Sequence, residues 1–150
     1  MRTIADSAVT EDLVSRLRRL DPAQRCLWGT INAQQMVVHV GDASAAVLKQ
    51  RPFSAKPRGG PAGIRRFLLL YVLPSMPRGI KSGAEPAATV VEPATFAKDV
   101  ERAAVLLQQL AGAPPDALVD RHPILGPMTR TQWMRWAFMH MDHHLRQFGL

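Results

Sequence analysis

The stretch Thr129–Phe148, TRTQWMRWAFMHMDHHLRQF, reads as one helix. Thr129 is a natural N-cap, because its hydroxyl can accept from the free N–H groups of a first turn, and Gln132 three residues on completes a capping box. A helix turning about 100° per residue gathers Trp133, Ala137, His140, Met141, His144 and Phe148 into one arc about 100° wide. Arg135, Asp142 and Arg146 fall on the opposite side, and His143 sits at the border of the apolar arc. An apolar face that carries two imidazoles one turn apart is the feature from which the rest is read.

Working outward, the same periodicity recurs three times. Asn32 with Gln35 makes a second capping box, and Met36, His39, Val40, Ala43 and Val47 follow at helical spacing to about Lys49. Phe96, Val100, Ala104, Leu107 and Ala111 form an apolar stripe for a helix over Thr95–Leu110, with Lys98, Glu101, Arg102 and Gln108 off it. At the N-terminal end, Thr10 is expected to cap a helix through Leu20, with Glu11 and Asp12 complementing its dipole, Leu13, Leu17 and Leu20 buried, and Asp21-Pro22 ending it. A shorter helix is expected over Gly63–Leu73, stopped by Pro74. Arg51–Pro61 and Pro74–Pro93 are rich in proline and glycine and are expected to be irregular, with Thr89-Val90-Val91 as a short extended piece. No strand alternation of useful length and no internal repeat is present. The expected fold is all-α: an up-down four-helix bundle with long irregular connections and a short extra helix.

The chain has 150 residues, 47% apolar and 21% charged. These values describe one folded domain over residues 1–150 and exclude an intrinsically disordered chain. The single cysteine, Cys26, excludes an internal disulfide framework and a cysteine-based zinc finger; it reads as a small buried apolar residue, and a reducing, cytoplasmic setting is expected. Residues 1–20 contain acids and arginines without an apolar core, so a secretory signal is not expected. The longest apolar run, Phe67–Leu73, is far short of the ~20 residues that cross a bilayer. Its strongly apolar character suggests a helix that pairs with a second copy, so a homodimer is expected.

Net charge is +7, unevenly spread. Between Ala43 and Ala84 lie Lys49, Arg51, Lys56, Arg58, Arg65, Arg66, Arg78 and Lys81 with no acid. Such a segment is either a solvated basic face, the mouth of a site for an anionic substrate, or a nucleic-acid footprint. No nucleic-acid-binding signature accompanies it, and the nucleic-acid reading ranks last.

The chemistry lies in five histidines: His39, His122, His140, His143 and His144. Imidazoles at i and i+4 on one face can hold one metal ion between adjacent turns, and His39 faces inward from a different helix. Each alone is explained as a hydrogen-bonded core histidine. Together, three inward imidazoles need either polar partners or a metal. Imidazole ligands suit zinc, nickel, copper or iron, and spacing does not choose among them. His143 and His122 are candidates for an outer-sphere or proton-shuttling role. Either is equally explained without chemistry, His143 as a helix-edge residue and His122 as a turn residue before proline.

The segment His122-Pro123-Ile124-Leu125-Gly126-Pro127, then Trp133 and His140-Met141-Asp142-His143-His144-Leu145-Arg146-Gln147-Phe148, resembles a bacterial branch of the DinB/YfiT-like superfamily. Trp28-Gly29 and Asn32-Ala33-Gln34-Gln35-Met36 with His39 are similar to that family's approach to its second helix. The resemblance covers most of the chain and is weakest over Arg51–Pro93. It implies a four-helix bundle with a divalent metal, zinc or nickel, held by His39, His140 and His144. It also implies a thiol-dependent transferase or a hydrolase, with a low-molecular-weight thiol as a candidate substrate. The rival class is a non-enzymatic helical dimer that keeps the histidines as core residues.

Overall fold

The computed structural model describes residues 1–56, 59–79 and 93–150. Its helices are α1 (Ser7–Arg18), α2 (Ala33–Val47), α3 (Ala62–Phe67), α4 (Pro93–Gly112) and α5 (Arg130–Gln147). Five residues of π-helix, Leu68–Val72, extend α3, and a 3₁₀ turn covers Pro115–Ala117. More than half of the described residues are helical.

Both capping boxes form. Asn32 accepts from Gln35 N and Gln35 returns the bond, and Thr129 and Gln132 do the same at the start of α5. The first helix starts earlier than the sequence suggests. Asp6 is its cap, accepting from Ala8 N, while Thr10 lies inside the helix and its hydroxyl donates to the Ile4 carbonyl at 2.8 Å. Asp and Thr both suit an N-cap; the buried Ile4 carbonyl claims the Thr10 hydroxyl, so the cap falls to Asp6.

Helix α2 packs mainly against α4, and α1 lies against α4 and α5. Helix α5 also meets α2. At the α2–α4 contact, a Cβ on Gly41 would sit 3.1 Å from Arg102 Nη1 and 3.4 Å from Ala103 Cβ. Glycine and alanine there let the two backbones approach closely. One apolar cluster joins the helices, with Leu13, Leu17, Met36, Val37, Leu107, Leu110, Trp133 and Met134 fully buried or nearly so. Helix α5 is buried on most of its surface: Met134, Trp136, Phe138 and Met139 are buried besides the expected arc. The part-buried pair Arg16–Asp142 (2.8 Å) ties α1 to its remaining polar strip. Cys26 is half-buried, not buried, with its thiol 3.5 Å from the Gly29 carbonyl.

A feature the sequence analysis did not anticipate is a minimal antiparallel hairpin, β1 (Arg121–His122) with β2 (Gly126–Pro127). Gly126 turns with φ +74°, in the left-handed region that favours glycine. The basic segment holds this hairpin. Arg65 donates twice to the Ile124 carbonyl (3.1 and 3.0 Å), and Arg66 donates to the Leu125 and Pro127 carbonyls. Lys49 donates to the Asp116 carbonyl, and Arg51 pairs with Asp42. Several of these cations are therefore fastened to the fold. Arg58, Lys81 and the expected extended piece Thr89-Val90-Val91 lie outside the described residues.

Candidate metal centre

Helices α2 and α5 meet where His39 faces His140 and His144. His39 Nε2 and His140 Nε2 are 3.1 Å apart. One ring nitrogen from each of the three histidines fits within a mutual distance of 4.8 Å. The His39 ring centroid is 5.0 Å from that of His140 and 4.8 Å from that of His144. Four-coordinate zinc with Zn–N bonds of about 2.0–2.1 Å sets its ligand atoms about 3.3 Å apart. The His39–His140 separation is close to that edge. His140 is buried, whereas His39 and His144 each keep some exposure. The donor set is all nitrogen, so these residues fit a divalent transition-metal ion of the kind imidazole binds, zinc, nickel, copper or iron.

The rings are held from behind. Trp136 stacks on His140 at 4.8 Å with planes 10° apart. His144 Nδ1 lies 3.0 Å from Gln147 Oε1. Burial lowers the pKa of all three: His39 below the ordinary imidazole value, His140 well below it, and His144 to about 3. Each is therefore neutral at pH 7, the form that ligates metal.

His143 stands beside the cluster. Its ring is 5.2 Å from His144 and 5.9 Å from Trp28, edge to face in both contacts. Its Nδ1 is 3.1 Å from the Met76 carbonyl, which can only accept, so Nδ1 carries the proton and Nε2 keeps a lone pair. Burial lowers its pKa from the usual value. Arg78 lies over the Trp28 ring at 4.0 Å, which brings one cation of the basic segment to this edge of the cluster.

His122 is elsewhere in the network. Its Nδ1 accepts from Ile124 N (3.0 Å) and Leu125 N (3.2 Å), closing the β1–β2 turn. Its ring is enclosed by Phe53, Trp133 and Trp136, and burial lowers its pKa to about 4. The Trp136 ring contacts both His122 and His140, standing between the turn and the cluster. Asp142 turns away toward Arg16 and Arg146 and offers nothing to the three histidines.

Fold and cluster together define a mostly helical protein with a candidate three-histidine metal centre. A family model described as "Protein of unknown function (DUF1569)" matches residues 11–149, and the chain belongs to that family. Neither the curated proteins nor the solved structures compared with the chain gave a match.

Gln147, Trp28 and Arg78 stand in the sequence only within the family-like segments and the basic segment, with no role beside the histidines assigned to them. Gln147 follows His144 by three residues, a spacing visible in the sequence. Trp28 and Arg78 arrive from irregular segments, and no local pattern marks them.

Proposed function

We propose that His39, His140 and His144 hold one divalent transition metal, zinc or nickel, and that the protein is a metal-dependent enzyme of the DinB/YfiT-like type, a thiol-dependent transferase or a hydrolase. The observation that carries this reading is the convergence of three neutral imidazoles from two helices within 4.8 Å, with no carboxylate among them. The mutual contacts of α1, α2, α4 and α5 favour a four-helix bundle. Bound there, a divalent ion supplies Lewis acidity, the property that makes a thiol or water nucleophilic near neutral pH. The chain's own residues supply the rest. Trp136 and Gln147 hold the ligand rings, and His143, anchored through Nδ1 on Met76, presents an unprotonated Nε2 suited to accept a proton from an incoming thiol or water. Arg78 beside Trp28 suits a substrate with an anionic group.

The test is metal analysis of untagged protein, wild type against His140→Ala. One equivalent of zinc or nickel in the wild type and none in the variant supports the site. No metal bound or taken up by the wild type returns the 3.1 Å His39–His140 contact to a hydrogen bond between core imidazoles.

A second reading concerns assembly. Ile64, Phe67, Leu68, Tyr71 and Val72 are exposed on α3 and its π-helical extension, while Leu70 is fully buried. That apolar surface favours a homodimer built on α3.

A further inference from the structure

Gln147 closes α5 one turn beyond His144 and is buried. Its Nε2 donates to the Trp28 carbonyl at 2.8 Å. A carbonyl oxygen only accepts, so the amide must point its NH₂ group at Trp28 and its Oε1 at His144. Oε1 also only accepts. The nitrogen 3.0 Å from it, His144 Nδ1, must therefore carry the imidazole proton. A neutral imidazole has one N–H, and the lone pair is left on Nε2.

The far end of this chain of bonds is equally constrained. Gly29 adopts φ +84°, and a Cβ built on it would stand 2.8 Å from Gln147 Nε2. Leu27 N donates to the Gln147 carbonyl at 2.7 Å, so the loop before α2 holds both the backbone and the side chain of this residue. The absence of a side chain at Gly29 gives the amide its room.

We infer that Gln147 is the positioning residue of the metal centre: held by Trp28 and accommodated by Gly29, it fixes the His144 tautomer so that Nε2 is the ligating nitrogen. This rests on the three-histidine metal reading. A ligand histidine whose second nitrogen donates to a fixed acceptor is oriented and made more basic, and losing such an acceptor costs about 10–100-fold in metal affinity.

The experiment titrates zinc into chelator-stripped protein against a chromophoric competitor and records the visible spectrum of the cobalt(II) form. Gln147→Leu removes both hydrogen bonds at nearly constant size and is expected to weaken zinc binding about 10–100-fold and to alter the cobalt spectrum. Gln147→Glu keeps an acceptor for His144 Nδ1–H but loses the donor to the Trp28 carbonyl, and is expected to bind zinc more weakly than wild type yet more tightly than Gln147→Leu. Gly29→Ala pushes on the amide from outside and is expected to weaken zinc in the same direction as Gln147→Leu. Gly60→Ala carries the same left-handed backbone strain (φ +86°) away from Gln147 and is expected to leave zinc binding unchanged. Wild-type affinity and spectrum in Gln147→Leu overturn the inference. So does a loss in Gln147→Glu equal to that in Gln147→Leu, which would make Gln147 a packing residue. If Gln147→Leu does not fold, Gly29→Ala decides by the same two readouts. A wild type that binds neither ion fails earlier and overturns the metal reading itself.

Discussion

His39 Nε2 and His140 Nε2 lie 3.1 Å apart although 101 residues separate them in the chain. The contact exists only because α2 and α5 pack together, so a metal bridging it would fasten those two helices. Ligand that binds only the folded state raises stability by linkage, about 2.7 kcal/mol when free metal is 100 times its Kd. For a chain of this length that is a shift of about 5–10 °C in melting temperature. A chelator is therefore expected to lower the Tm of the wild type by this order, and alanine at His39, His140 or His144 is expected to abolish the difference. His143→Ala is expected to retain most of it, because His143 bonds to Met76. Differential scanning fluorimetry with and without chelator decides it, and loss of the effect in His143→Ala alone would contradict the ligand assignment.

Asp142 shares α5 with the histidines but belongs to a different network. Its carboxylate meets Arg16 at 2.8 Å, with both side chains mostly shielded from solvent, and Arg16 also donates to the Leu150 carbonyl. Asp142→Asn is expected to cost about 1.5–3 kcal/mol in urea unfolding, the range for a hydrogen bond to a charged group, and to leave metal content unchanged. A loss of metal would place Asp142 in the site.

Acid should expose His122. Burial lowers its folded-state pKa to about 4, below the value of about 6.5 of an unfolded chain. The sign follows: the unfolded state takes up the proton first as pH falls. The stability is fully present above about pH 6.5 and is lost progressively toward pH 4, about 3 kcal/mol in all. His122→Asn keeps an acceptor for Ile124 N and Leu125 N but does not titrate. Its unfolding free energy is expected to change less between pH 7 and pH 4.5 than that of the wild type, and an identical pH profile would refute the assignment.

Nucleic acid is expected to bind weakly. Arg65, Arg66 and Lys49 donate to backbone carbonyls, Arg51 faces Asp42, and Arg78 covers Trp28. Fluorescence anisotropy with duplex and single-stranded DNA should show affinity that collapses as salt rises. Sub-micromolar binding that persists at about 0.2 M salt would restore a nucleic-acid role.

The homodimer reading is tested by light scattering across micromolar concentrations. Twice the monomer mass is expected for the wild type. Phe67→Glu, on the exposed face of α3, is expected to shift the mass toward the monomer without lowering Tm. A wild-type monomer throughout this range would remove the reading.

How far local signals reach is clearest at the helix starts. Asn32 with Gln35 and Thr129 with Gln132 satisfy their own first turns within four residues, so both boxes were legible before any fold was known. Thr10 was misread because its hydroxyl bonds to Ile4 across the preceding loop, a partner no helix-start pattern contains. The β1–β2 turn was invisible for the same kind of reason: two-residue strands have no alternation to detect, and their support comes from Arg65 and Arg66, some 60 residues away.

The amino-acid sequence by itself determined the helices and the inward arc carrying His140 and His144, since a 3.6-residue period places i and i+4 on one face whatever packs against it. It also determined that His39 faces inward from a helix of its own. Only the tertiary structure decided which imidazoles share one point in space, because the His39–His140 contact is made by packing α2 on α5. Only it decided the proton on His144: the Trp28 carbonyl, 119 residues before Gln147, turns that amide and so fixes which ring nitrogen is free. Side-chain periodicity is a property of the backbone and is encoded locally, whereas hydrogen-bond polarity depends on the partner that folding delivers.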